Sequence, residues 1–193
     1  MYDIPTTIDV NGRKYKIRND GDFRVILDCF AALADVELTA KERLLAVLII
    51  FYADFSTLED LPDADDVQEL IRQMYNFFNC GSENVGSQSK KKLIDWEQDE
   101  QLICSAVNKV FGKEIRLEPY IHWWTFMGYF TAIGESPIST IIHIRDKIIS
   151  GKKLEKHERE YRNQNPQYFV WNNRTVEERE ADRLVRELWD SGG

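Results

Sequence analysis

Apolar residues recur at intervals of three and four positions along most of this chain, which is the period of α-helices that bury one face. The first such stripe predicts a helix from about residue 22 to residue 34; it consists of Phe23, Ile26, Leu27, Phe30 and Ala34. Comparable stripes follow up to residue 150, separated by short segments that contain glycine or proline. The pattern predicts a mainly α fold with a helical, bundle-like domain.

Capping signals indicate where the later helices begin and end. Thr39 and Glu42 form a capping-box pattern before residues 44–51, which are apolar nearly all round and predict a central helix. Four further helices are expected over residues 63–78, 95–111, 119–133 and 137–150. On the last of these, Ile148 and Ile149 are expected to face inward.

The N-terminus has a different pattern, because apolar and polar side chains alternate on both sides of Asn11-Gly12. Asn-Gly between alternating segments indicates a β-hairpin, since a type I′ turn needs positive φ at both central positions. In that register Ile8 lies opposite Tyr15. An isolated hairpin is only marginally stable, so its apolar face is expected to rest on the helices.

The composition changes after Gly151, because residues 152–193 hold nine acidic and nine basic side chains. We therefore expect a core domain with the hairpin at residues 1–151 and a charged, helical C-terminal arm at residues 152–193. The arm carries a narrow apolar stripe that is a candidate for partner binding; it consists of Ala181, Leu184, Val185, Leu188 and Trp189. Deletion of residues 166–193 is expected to leave a folded body.

The formal charge of −8 argues against a phosphate-binding surface, so no nucleic-acid partner is expected. Cys29, Cys80 and Cys104 are odd in number and widely spaced, which fits a reducing cytoplasm better than a disulfide framework. The first residues do not have the pattern of a signal peptide, and the longest apolar run, residues 44–53, is too short to span a bilayer. We expect a cytoplasmic protein that does not associate with membranes.

Five of the nine residues from His122 to Phe130 are aromatic, a density that indicates the centre of a core or of an interface. Trp123 lies on the main apolar stripe of this segment, and Tyr120 and Trp124 lie on a neighbouring stripe. Two interpretations stay open: a role in the core alone, or a core role combined with partner binding by Tyr120, Trp123 and Trp124.

A second unusual segment contains Asp95 and Asp99, which are one helical turn apart. Asp95 suits an N-cap, and capping is the favoured interpretation, so no metal or other cofactor is expected. The alternative is a divalent metal held by both carboxylates and His122. Asp99 is also a candidate for an acidic partner-binding surface. No serine or cysteine lies in a recognised nucleophile motif, so no catalytic residue is expected.

The order of these motifs is similar to that of a known family. After the hairpin come Asp95, Asp99, Ile103, Phe111-Gly112, His122-Trp123-Trp124-Thr125-Phe126 and Ile144-Arg145. Over roughly residues 4–165 the chain resembles the bacteriophage "gene product fifteen" family, known from phages and prophages of Gram-positive bacteria. The His-Trp-Trp-x-Phe element preceded by Asp-x-x-x-Asp is the most specific part of the resemblance, which does not extend to residues 166–193.

The resemblance implies a non-catalytic tail assembly chaperone, because members are generally encoded between the major tail protein and the tape-measure protein. Such a chaperone coats the tape-measure protein in the host cytoplasm until tail-tube subunits polymerise around it. The implied partners are the tape-measure protein, the tail tube protein and further copies of the chain. Two alternatives stay open: a tail or head–tail connector protein retained in the virion, and a metal-dependent enzyme that uses Asp95, Asp99 and His122.

Overall fold

The computed structural model describes residues 3–82 and 92–171, which form an N-terminal β-hairpin followed by seven α-helices. The hairpin strands are β1 (Thr7–Val10) and β2 (Arg13–Lys16). The helices are α1 (Phe23–Ala34), α2 (Ala40–Phe51), α3 (Ala64–Phe78), α4 (Glu100–Phe111), α5 (Trp123–Thr131), α6 (Pro137–Ile149) and α7 (Lys156–Gln164). The mainly α fold with an N-terminal hairpin is therefore confirmed.

The hairpin has the predicted register and rests its apolar face on the helices. Ile8 pairs with Tyr15, and Asn11 has a φ of 52°, as the first central position of a type I′ turn requires. Both Ile8 and Tyr15 are buried. The carbonyl of Lys16 accepts a hydrogen bond from the amide of Ala53 at 2.8 Å, which joins β2 to the chain just beyond α2.

Arg18, which follows the hairpin, caps the C-terminal end of α2. Its guanidinium donates hydrogen bonds of 2.8–3.0 Å to the carbonyls of Ile49, Ile50, Tyr52 and Phe55. The last carbonyls of a helix have no intrahelical partner, and a cation at this end also interacts favourably with the helix dipole. Arg18 thus fixes the position of the hairpin relative to α2.

The core is built around α2, as its nearly continuous apolar run predicts. Val47, Leu48 and Phe51 of this helix are fully buried. Helix α1 packs against α2 and α5, and α4 packs against α5 and α6. The capping box of Thr39 and Glu42 is present at the start of α2, with both reciprocal hydrogen bonds formed.

The expectations about the start of α4 and the buried face of α6 are wrong. Helix α4 begins at Glu100 rather than at Asp95, because the Asp95 carboxylate caps a separate turn by accepting the amide of Gln98 at 2.9 Å. Ile148 and Ile149, expected to face inward on α6, are 38% and 44% exposed. The buried face of α6 is instead formed by Ile138, Ile141, Ile144 and Arg145.

Two buried tyrosines differ in whether the hydroxyl has a partner. The Tyr52 hydroxyl donates to the carbonyl of Leu70 at 2.8 Å, whereas the buried Tyr15 hydroxyl has no hydrogen-bond partner among the described residues. We expect Tyr52→Phe to lower the free energy of unfolding by about 1 kcal/mol, because a buried hydrogen bond is lost. We expect Tyr15→Phe to leave the free energy of unfolding unchanged or to raise it, because the buried hydroxyl that is removed has no partner among the described residues. Urea unfolding measures both, and equal losses in the two variants would contradict the assignment.

The described part of the expected C-terminal arm contacts the core domain. Glu158 of α7 is buried, and its carboxylate accepts a hydrogen bond of 2.6 Å from the ammonium of Lys147 on α6. The boundary proposed at residue 151 stays a prediction. The arm residues Leu184, Val185, Leu188 and Trp189 lie outside the described residues.

Of the helices in residues 3–82 and 92–171, none combines the length and the apolar character needed to cross a membrane.

Candidate functional site

The tandem tryptophans of the aromatic segment cap a helix other than their own. The indole Nε1 of Trp123 donates to the carbonyl of Phe78, and that of Trp124 donates to the carbonyl of Phe77, each at 3.0 Å. Both carbonyls lie at the C-terminal end of α3, where a helix leaves carbonyls without intrahelical partners. Trp123 is 1% exposed and Trp124 is half-buried, so the first indole has no surface for a partner in this conformation.

Helix α5 begins at Trp123 rather than at the predicted Pro119, because the residues before it are held against the start of α1. The carbonyl of Ile121 accepts the amide of Phe23 at 2.9 Å, and the amide of Ile121 donates to the Asp22 carboxylate at 3.0 Å. This pairing keeps the backbone extended up to the N-cap. Pro119 is compatible with a helix start, but contacts between residues distant in sequence keep this segment extended.

His122 is the N-cap of α5 and is fixed in one neutral tautomer. Its Nδ1 accepts the amide of Trp124 at 3.1 Å, so Nε2 carries the proton and donates to the carbonyl of Pro5 at 3.0 Å. Gly21 has a φ of 81° and leaves room for the ring, since a Cβ there would lie 3.0 Å from Nε2. Burial lowers the pKa of His122 below its ordinary 6.5, although the Pro5 carbonyl and Asp22 oppose this shift.

The His122 geometry predicts a loss of stability in mild acid. Because its pKa is lower in the folded than in the unfolded chain, stability is complete above pH 6.5 and falls as pH drops toward the folded pKa. The slope is at most about 1.4 kcal/mol per pH unit, the limit for one proton. His122→Asn keeps a capping oxygen and should flatten the dependence measured by urea unfolding, whereas the exposed His157→Asn should not. Identical slopes for wild type and His122→Asn would refute the assignment.

Asp99 and Arg145 form a buried ion pair that joins α4 to α6. Two guanidinium nitrogens lie 2.5 and 3.0 Å from the two carboxylate oxygens, and the residues are 0% and 3% exposed. Arg145 also donates to the carbonyls of Leu93 and Tyr168, and Asp99 accepts the amide of Asp95 at 3.0 Å. Asp99 was a candidate for partner binding, but its carboxylate is enclosed and fully bonded within the protein.

The segment after α7 closes over this ion pair. The ring of Trp171 lies 4.2 Å from the Arg145 guanidinium and 4.8 Å from the Lys92 ammonium, distances typical of cation–π contacts. The side-chain amide of Gln98 donates to the carbonyls of residues 167 and 170. The expectation that deletion of residues 166–193 leaves the body intact is therefore revised, because that deletion would remove the Tyr168 carbonyl from Arg145. A truncation after Trp171 keeps these contacts.

The residues of the metal-dependent alternative are already engaged by the protein. Asp95 caps its turn and pairs with Lys92 at 2.9 Å. Burial would raise the pKa of Asp95, but the hydrogen bonds from Gln98 and Lys92 outweigh it, and the net pKa is lowered. Asp99 binds Arg145, and both His122 nitrogens are bonded. Within the described residues, no three His, Cys, Asp or Glu side chains converge on a common point suitable for a metal.

Tyr120 is the most exposed of the three aromatic partner-binding candidates that the structure describes. It is 44% exposed, and its hydroxyl donates to the carbonyl of Asp20 at 3.0 Å. The structure thus brings Trp123 and Trp124 together at the end of α3 and places Asp99 with Arg145. Whether Tyr120 or Trp124 contacts another protein stays a prediction.

An open apolar cleft of about 640 Å³ lies between α1 and residues 92–100, and we call it the α1 cleft. Five apolar residues of α1 line one side, namely Leu27, Phe30, Ala31, Leu33 and Ala34, and Ile94 and Trp96 line the other. The charged residues around it are Asp28, Lys92, Asp95, Glu97 and Glu100. Among the described residues, four carboxylates thus line the cleft with one ammonium. That ammonium is paired with Asp95, and Glu100 is paired with Arg116 at 3.6 Å.

The aromatic side chains of the α1 cleft are continuous with the core. The ring of Trp96 is stacked on that of Phe30 with centroids 5.8 Å apart, and it lies edge-on to Trp123 at 5.6 Å. Both Phe30 and Trp96 are half-buried, so each presents one side to the core and the other to the cleft. The floor is therefore held in place by close-packed neighbours, as a preformed binding surface requires.

The sequence pattern did not identify Arg145 or the α1 cleft, although the sequence contains a feature related to each. Arg145 is a charged residue within the isoleucine-rich run of α6, and such a residue needs a buried partner of opposite charge. The stripe on α1 was correctly assigned as apolar, but no pattern within one helix indicates which part of it other elements leave uncovered. The uncovered part of α1 depends on where the segment that contains Trp96 packs.

The comparisons with known proteins place the chain in a phage family. No curated protein and no solved structure matched it. The family model described as Bacteriophage Gp15 protein matches residues 1–169. This match covers most of the chain and includes both the hairpin and the His-Trp-Trp-x-Phe element. The chain therefore belongs to the Bacteriophage Gp15 protein family.

Proposed function

We propose that this chain is a non-catalytic tail assembly chaperone, which binds the tape-measure protein in the host cytoplasm during tail morphogenesis. The α1 cleft is the observation that carries the proposal, because it is a preformed apolar surface on a chain with a formal charge of −8. A chaperone for a long helical protein needs an apolar site for exposed seams and a charged exterior that keeps the complex in solution. Family membership supports the phage setting.

The size of the α1 cleft fits reversible binding. A cleft lined by twelve residues is small beside a standard protein–protein interface, so each single contact is expected to be weak. A filamentous partner that binds many copies compensates by avidity, and self-association of the chain would add to it. Tail tube subunits could then displace the copies one after another without a chemical step.

Co-expression with the tape-measure protein of the same phage tests the proposal. We expect that protein to be mostly insoluble alone, and to become soluble and co-purify when this chain is present. Ala31→Arg places a long side chain in the cleft at an exposed helical position and should abolish the effect. The matched variant Ala132→Arg, exposed and outside the cleft, should retain it.

Two results would contradict the proposal. If the soluble fraction of the tape-measure protein is the same with and without this chain, the chaperone function is wrong. If purified virions contain the chain in stoichiometric amounts by mass spectrometry, the alternative of a connector protein retained in the particle is favoured.

A further inference from the structure

We infer that the α1 cleft selects an α-helix whose apolar stripe is flanked by lysine or arginine, and that this is the form in which a partner segment is bound. The inference rests on the proposed function, because it names the chemistry of the segment that such a chaperone would hold. Three observations lead to it: the spacing of the apolar residues on α1, the charge around the cleft, and the sequence that follows the described chain.

Four of the five apolar residues of α1 that line the cleft have the spacing of a helix–helix seam; the fifth is Leu33. Leu27, Phe30, Ala31 and Ala34 are related as i, i+3, i+4 and i+7, so they form one continuous stripe along the helix. The opposite face of α1 is already buried through Val25 and other residues. A stripe with two alanines leaves a groove into which the side chains of a second helix can pack.

The charge around the cleft indicates the sign of the charge expected on the occupant. Asp28, Glu97 and Glu100 are exposed. Among the described residues that line the cleft the one cation is Lys92, which is paired with Asp95 and lies 4.8 Å from the ring of Trp171. Carboxylates beside an apolar seam attract a helix with basic flanks and repel one with acidic flanks, which governs both encounter rate and choice of partner.

The chain's own last stripe is the competing occupant, since Trp171 lies beside Lys92 at the edge of the cleft. In the sequence, however, residues 174–190 hold six acidic and four basic side chains, so the segment with that stripe has a net negative charge. Its charge is therefore a poorer match to the cleft than that of a basic helix. An external partner segment is the occupant that the described charges favour.

Two synthetic peptides of about 18 residues, five helical turns, test the inference with the full-length chain. Both carry the same leucine stripe; one has lysine flanks and the other glutamate flanks. We expect fluorescence anisotropy to show at least about tenfold tighter binding of the lysine peptide at low salt. We also expect this preference to shrink when salt is raised to about 0.3 M.

Matched charge reversals localise the effect. Asp28→Lys/Glu97→Lys should weaken binding of the lysine peptide by about tenfold, because two attractive charges become repulsive. Glu59→Lys/Glu135→Lys makes the same change in net charge at exposed positions outside the cleft, and should leave binding within about twofold of wild type. Thermal unfolding confirms that both double variants are folded.

The outcomes separate the inference from the proposed function. Equal binding of the two peptides, or equal effects of the two double variants, would overturn the inference. Binding that appears only after truncation at Trp171 would also overturn it, because the chain's own segment would then be the occupant. If neither peptide binds but the tape-measure protein still co-purifies, the inference fails and the chaperone function stands. If the lysine peptide binds in the cleft but the tape-measure protein does not co-purify, only the proposed function fails.

Discussion

Trp123→Ala is expected to lower the free energy of unfolding by about 3–5 kcal/mol, the usual cost of truncating a large buried aromatic residue. The indole packs against the rings of Phe30, Trp96 and Phe126, with centroids 5.6–5.7 Å away. Its Nε1 also caps the carbonyl of Phe78. The variant therefore creates a cavity and leaves a helix-terminal carbonyl without its partner. Urea unfolding monitored by circular dichroism measures the loss.

Neighbouring variants separate packing from capping at this position. Trp123→Phe keeps most of the ring contacts but loses the hydrogen bond to Phe78, so a loss of about 1 kcal/mol is expected. Trp124→Ala removes a half-buried indole and should cost less than Trp123→Ala. A loss under about 1 kcal/mol for Trp123→Ala would show that the residue is not part of the core.

Arg145→Met is expected to lower the free energy of unfolding by about 3–5 kcal/mol, because it leaves the Asp99 carboxylate buried without its cation. The guanidinium also bonds the carbonyls of Leu93 and Tyr168, so the variant loosens the segments on both sides of α6. Limited proteolysis should accordingly detect faster cleavage near residue 168 in the variant. Urea unfolding gives the magnitude.

A double variant and an exposed ion pair serve as controls for Arg145. In Asp99→Leu/Arg145→Met no charge is left unpaired, so the double variant should be more stable than Arg145→Met alone. Arg116→Met breaks a solvent-exposed pair with Glu114 and should cost no more than about 1 kcal/mol. Equal losses for Arg145→Met and Arg116→Met would contradict the assignment of a buried network.

The elements that could be predicted from the sequence are those determined by local signals. The capping box at Thr39, the helix start expected at residue 137 and the Asn-Gly turn each depend on signals within four residues, and the structure has all three. The apolar stripe of α1 likewise identified a helix correctly. Fold class follows from such local signals because they agree with one another along the chain.

Other errors and omissions arose where a distant residue determines the local structure. Pro119 suits a helix start, but pairing of Ile121 with Phe23 keeps the segment extended. The spacing of apolar residues around Trp123 and Trp124 indicates a core. This spacing does not indicate that the indole N–H groups cap α3. Arg145 was noted only as part of a resemblance, since its partner lies 46 residues away. The α1 cleft depends on such long-range contacts too.

The pairing of His122 with Pro5 has a consequence for how the protein is made on the ribosome. The two residues are 117 positions apart, and the Asp22–Ile121 hydrogen bond spans 99. Pro5 and Asp22 are synthesised early but cannot form these contacts until residues 121 and 122 have been translated. At about 5–20 residues per second, several seconds of elongation separate the two ends of each contact. The segment before β1 and the start of α1 therefore reach their final arrangement only late in translation.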